Sequence, residues 1–220
     1  MKLQNFFSIV LLTSVIFFAS SCNSNEKKTE TKESKLKEEN ITYTADSVTM
    51  NGFLVYDENK EVPRPAVIVV HEWWGLNDYP KMRARELAKL GYTAMAIDMY
   101  GNGKTADNPT DAQNLAMPFY QNPQMAKSRF DAAVAKLKTY SVADTNKIAA
   151  IGYCFGGGVL INTARLGEDI KGVVSFHGSL VGTPADKNLL KAKILVCHGA
   201  DDKFILPPEV AQFKKQMDSI

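Results

Sequence analysis

Beyond Ile41 the chain alternates short apolar runs rich in valine and isoleucine with longer segments whose apolar residues recur at helical spacing. That alternation predicts an α/β protein, a mostly parallel sheet flanked by helices. ITYTADSVTM and GFLVYD read as an opening pair of strands that turns at Asn51-Gly52, a favourable hairpin dipeptide. AVIVV (Ala66 to Val70) is apolar on both faces, as a central parallel strand must be. A helix follows, capped by Asn77 or Asp78, with Pro80 in its first turn, Ala84, Leu87 and Ala88 on its inner face, and Gly91 ending it. YTAMAID is the next strand and MYGNGKTADNP a loop. From Gln124 to Thr139 the apolar positions Ala126, Phe130, Ala133, Val134 and Leu137 form one helical stripe. KIAAIG, KGVVSF and AKILVC are three further strands, and a last helix runs from Pro207 toward Asp218. No internal repeat interrupts this order.

Composition changes the picture mainly at the front. With 220 residues, 45% hydrophobic and 23% charged, the chain suits one globular domain. Met1 and Lys2 precede an apolar run from Phe6 to Phe18, followed by small residues, which reads as a signal peptide over residues 1–21 rather than a membrane-spanning helix. ASSC resembles a bacterial lipobox, so Cys22 is the expected lipidation site, tethering an exported protein to a membrane of the cell envelope. Residues 22–40 hold five acidic and five basic side chains with Leu36 as the sole large apolar one, the composition of a disordered tether, leaving 41–220 as the domain. A net charge of only +2, with the signs of the tether cancelling, argues against a nucleic-acid partner.

Candidate chemistry centres on IGYCFGGG, where Gly-x-Cys-x-Gly joins a strand to a helix. A nucleophile at such a turn sits in a strained conformation, and only glycine fits where strand and helix nearly touch, the places of Gly152 and Gly156. The helix N-terminus favours a thiolate at Cys154, and the Phe155 amide is placed to stabilise an oxyanion. A phosphate-binding loop is the competing reading, but the segment lacks both Lys-Ser/Thr and the G-x-G-x-x-G spacing. A small core cysteine is the other. Cys197 ends the run ILVC and reads as an inert, buried strand residue rather than a disulfide partner. Three scattered histidines without a Cys/His cluster predict no metal site.

HEWWG, DMYG, GYCFGG, FHG and HGADDKF follow one another in this order, and together they resemble the dienelactone hydrolase family of the α/β-hydrolase fold across nearly all of residues 41–220. The resemblance implies Cys154 as nucleophile, Asp202 as the carboxylate orienting a histidine, Glu72 as a carboxylate near the thiol, and an oxyanion hole from the Trp73 and Phe155 amides. It implies a hydrolase of small esters or lactones that works through an acyl-cysteine and needs no cofactor. From loop position, Trp74, Tyr100 and Lys104 are expected to line the substrate pocket, with Trp73 beside Trp74 as a wall. Family members acting on dienelactone hold its carboxylate with arginines, and the loop after DMYG offers none, which disfavours that substrate.

One member of the set is hard to find. The fold's order is nucleophile, acid, histidine, yet the 18 residues after Asp202 contain no histidine. Two explanations stand: His177 or His198 substitutes, or the last strand, histidine loop and helix lie beyond Ile220. The second is preferred at this point, and it predicts an exposed sheet edge and poor turnover by the segment as written. A non-catalytic lipoprotein using the same scaffold for binding is the alternative.

Overall fold

A computed structural model describes residues 33–220, which form one compact unit. The expectations for the signal peptide, Cys22 and most of the charged tether lie outside the described residues. Seven strands form a single sheet in the order β1 (Leu36–Ala45), β2 (Val48–Asp57), β4 (Thr93–Ile97), β3 (Arg64–Val70), β5 (Ala143–Tyr153), β6 (Gly172–Phe176) and β7 (Lys193–Cys197). The β1–β2 and β2–β4 pairs are antiparallel, and every later pair is parallel.

Residue alternation decides which side each strand residue takes. Leu54, Ile68 and Met95 face a large core closed by α3 (Pro123–Leu137) and α4 (Phe155–Arg165), with Phe130, Leu137 and Leu160 filling it. Their neighbours Phe53, Val55, Val69, Ala94 and Ala96 face the other way, onto Ala84 and Ala88 of α1 (Asp78–Lys89). The Asn77 side chain caps α1 by accepting from the Tyr79 amide, and Gly91 takes φ +100° just past its end, as expected of a left-handed stop. All five apolar positions foreseen for α3 are buried.

Three expectations need correction. Leu36 to Asn40 belong to β1 rather than to a tether: the charged side chains point outward, Arg85 grips Glu38 with two hydrogen bonds of 2.7 and 2.9 Å, and β2 supplies the ladder. The hairpin turns at Asp46 and Ser47, both at positive φ (49° and 62°), while Asn51 and Gly52 lie inside β2 opposite Thr42 and Ile41. Finally, an unforeseen helix α2 (Pro109–Gln121) precedes α3, started by Asn108, whose side chain accepts from the Asp111 amide, and by Pro109 in the first turn. Its internal Pro118 masks a stripe of Ala112, Ala116 and Phe119 that packs inward.

Candidate active site

Cys154 occupies the apex between β5 and α4 with φ 51° and ψ −111°, a conformation costly for any residue with a side chain. Two glycines make the turn possible. A Cβ on Gly152 would lie 2.3 Å from the Gly156 carbonyl oxygen, and one on Gly156 would lie 2.5 Å from that of Val70. Backbone bonds tie the apex to its neighbours: the Cys154 amide donates to Phe176 O (2.8 Å) and the Gly156 amide to His71 O (3.1 Å). The second of these clamps α4 against the segment carrying Glu72 and Trp73.

His71 itself is a buttress. Fully buried, it donates from Nδ1 to the Glu72 carbonyl and accepts the Met99 amide at Nε2 (3.2 Å), while its ring stacks on Phe155. Burial pushes its pKa down to about 4, so the ring is neutral at physiological pH. Asp98, also buried, fixes the following loop by accepting amides from Asn51, Tyr100, Gly101 and Gly103.

The acid follows β7. Asp202 Oδ1 accepts the Phe204 and Ile205 amides at 2.8 and 3.1 Å, and Oδ2 accepts from Nδ1 of His177. Burial works against its ionisation, but the two amides and His177 outweigh it and hold the carboxyl down to about 2. His177 follows β6 with φ 58°, its amide donating to Cys197 O (3.1 Å). With Nδ1 donating to Asp202, the ring's Nε2 is left as the acceptor. His198 Nδ1 is 3.8 Å from the same carboxylate, beyond hydrogen-bonding range, and has no partner among the described residues. Sequence order disfavoured His177; only the parallel pairing of β6 with β7 brings it to the acid.

A cavity of about 600 Å³ opens over this group. Cys154, His177 and Glu72 line it, together with Trp73 and Trp74, whose rings meet edge to face at 5.1 Å. Met117 and Tyr120 of α2 form the opposite side, and Phe204 and Ile205 close a third. Trp74 is therefore where loop position put it. Tyr100 is not: it is buried, packed on Phe119 and Phe155, and its hydroxyl donates to the Trp73 carbonyl at 2.8 Å, so it supports the Trp73 segment from behind. Lys104 also lies off the cavity, exposed in a loop whose Thr105 bridges to Gly75. The α2 wall was missed because the helix itself was.

The thiol's electrostatics also depart from expectation. Burial raises the Cys154 pKa above the ordinary thiol value; the Phe155 amide pulls it down, the charges of Glu72 and Asp202 push it further up, and the net direction is upward. The helix N-terminus does not by itself produce a resting thiolate. The Trp73 amide donates to no acceptor among the described residues, and Phe155 is the first residue of α4, where amides lack intrahelical partners. The Phe155 amide adjoins the sulfur, and Trp73 lies two residues past His71, whose carbonyl accepts the Gly156 amide of the turn. Cys197, expected to be buried, is half-exposed, and both it and Cys154 are free thiols.

A sequence model of the dienelactone hydrolase family matches residues 50–219. The chain belongs to the dienelactone hydrolase family. It is 34% identical to the protein usf of Aquifex pyrophilus over 160 residues, covering 70% of this chain and 68% of that one. To a putative carboxymethylenebutenolidase of Methylorubrum extorquens it is 31% identical over 164 residues, 70% of this chain and 56% of the relative. A dienelactone hydrolase-like promiscuous phosphotriesterase from metagenomic libraries superposes with a TM-score of 0.78 at 33% identity, over 84% of this chain and 77% of that one. Membership of the dienelactone hydrolase family supports a hydrolase of esters or lactones on the α/β-hydrolase fold.

Proposed function

We propose that the chain hydrolyses carboxylic esters or lactones through an acyl-cysteine at Cys154. The observation that carries this reading is the opening of the strained Cys154 and the Asp202-held His177 onto one cavity. Because burial keeps the thiol protonated at rest, attack needs a base, and His177 Nε2 is the group that Asp202 orients for it. The sulfur adds to the substrate carbonyl as its proton passes to His177. The Trp73 and Phe155 amides receive the oxyanion. Collapse expels the alkoxide, which takes the proton from His177, and water activated by the same imidazole then cleaves the thioester, releasing acid and thiol. Asp202 stabilises the imidazolium in both steps. Glu72 faces the same space, where its charge disfavours a premature thiolate.

The test is mass spectrometry of protein quenched during turnover of a p-nitrophenyl ester. An acyl adduct on the peptide bearing Cys154 is expected, with Cys154→Ala losing about 10³-fold or more in kcat/KM. Loss of activity in His177→Gln is expected beside it; full activity in that variant would move the base to another imidazole, and full activity in Cys154→Ala would sink the mechanism and favour the non-catalytic reading.

The location is a separate proposal. The apolar run from Phe6 to Phe18 and the ASSC segment support an exported, membrane-tethered protein lipidated on Cys22. The intact mass of protein extracted from its native membrane decides it: diacylglycerol on Cys22 is expected, and an unmodified Cys22 in an unprocessed chain would refute it.

A further inference from the structure

The cavity has three apolar walls drawn from separate parts of the chain: Trp73 and Trp74 after β3, Met117 and Tyr120 on α2, and Phe204 before α5 (Pro207–Met217). Its lining holds no fixed cation among the described residues. Glu72 and Cys154 can carry negative charge, His177 is tied to the ionised Asp202, and no lysine or arginine among the described residues lines the space. The one cation that loop position offered, Lys104, is exposed elsewhere.

A carboxylate entering such a space loses its hydration and gains no positive partner, while the charges of Glu72 and Asp202 oppose it. A flat, uncharged group loses little hydration there and gains aromatic contact on several sides. From the walls and charges together we infer that this site selects uncharged substrates, esters or lactones of an aromatic or aliphatic acid without a second ionised group, and discriminates against carboxylate-bearing ones. This rests on the hydrolase reading for its chemistry but not for its binding preference.

That separation shapes the experiment. Both tryptophans of the chain line the cavity, so intrinsic fluorescence reports on its occupancy without turnover. The full chain carrying Cys154→Ala is titrated with 4-nitrobenzamide and with 4-nitrobenzoate, two quenchers of nearly equal shape that differ in charge. The amide is expected to bind at least about 30-fold tighter, and Met117→Lys is expected to strengthen nitrobenzoate at least about tenfold by supplying the absent cation. Equal affinities, tighter nitrobenzoate, no binding of either, or a Met117→Lys variant indifferent to charge would each overturn the inference. In parallel, the wild-type chain is given p-nitrophenyl butyrate and the p-nitrophenyl monoester of succinate, with the neutral ester expected to lead by about 30-fold in kcat/KM. Preference in binding with turnover of neither ester would refute the hydrolase reading and leave the selectivity intact. Equal turnover of both would refute the selectivity and leave the hydrolase.

Discussion

Single residues here divide by whether their role is local. Cys154, Gly152 and Gly156 are legible in the sequence because the turn's geometry is written within five residues, and Glu72, Trp73 and Asp202 because motifs after strands place them at the carboxyl edge of a parallel sheet. Tyr100 and Lys104 were misplaced, since a loop's position along the chain does not tell which way its side chains turn; Tyr100 faces the core and Lys104 the solvent. His177 was weighed beside His198 as a substitute base but disfavoured, because its contact with Asp202 spans 25 residues and depends on strand pairing. His71 has a consequence for stability. An exposed imidazole in the unfolded chain takes a proton near pH 6.5, whereas the buried one resists until about 4. Its folded pKa is depressed, so the unfolded state binds more protons between those values. The stability His71 confers is complete above about pH 6.5 and falls, by about 3 kcal/mol in all, as the pH drops to about 4. Urea unfolding as a function of pH checks this: His71→Asn should flatten the slope in that window, whatever it does to stability at pH 8.

At the scale of elements, periodicity identified the five strands from β3 onward and the stripe of α3, because burial repeats at two residues or at three to four. It failed for the start of β1, where Lys37, Glu38 and Glu39 sit on an edge that solvent tolerates, and for α2, where Pro118 breaks the expected pattern. The β5–α4 junction is the least forgiving element. Gly156→Ala places a methyl group 2.5 Å from a backbone oxygen of β3, and separation of α4 from that strand would move the Phe155 amide from the thiol. A loss of about 2 kcal/mol in thermal unfolding is expected, with a larger proportional loss in kcat/KM. The β1–β2 turn offers the opposite case. Ser47 holds φ 62° without a glycine's freedom, so Ser47→Gly should stabilise by about 0.5 kcal/mol, read as a shift in the urea midpoint at constant m.

For the whole molecule, the order of strands matters more than their number. β3 and β5, which carry Glu72, Trp73 and Cys154 at their ends, lie inside the sheet and are paired on both sides. The acid's strand, β7, is at the edge, with Leu195 56% exposed on its surface, and α5 beyond it buries no residue fully. The two halves of the site thus rest on parts of different solidity. Regions with few buried contacts open before the rest. Mild urea should therefore detach the Asp202 loop while the central strands and the strained cysteine remain in place, so that esterase activity fades at lower denaturant than far-UV circular dichroism, and coincident curves would refute this. The partly opened protein is then a safe one: it keeps a nucleophile but has lost the carboxylate that orients its base, and wear at the edge leaves an idle thiol rather than an unguarded thiolate.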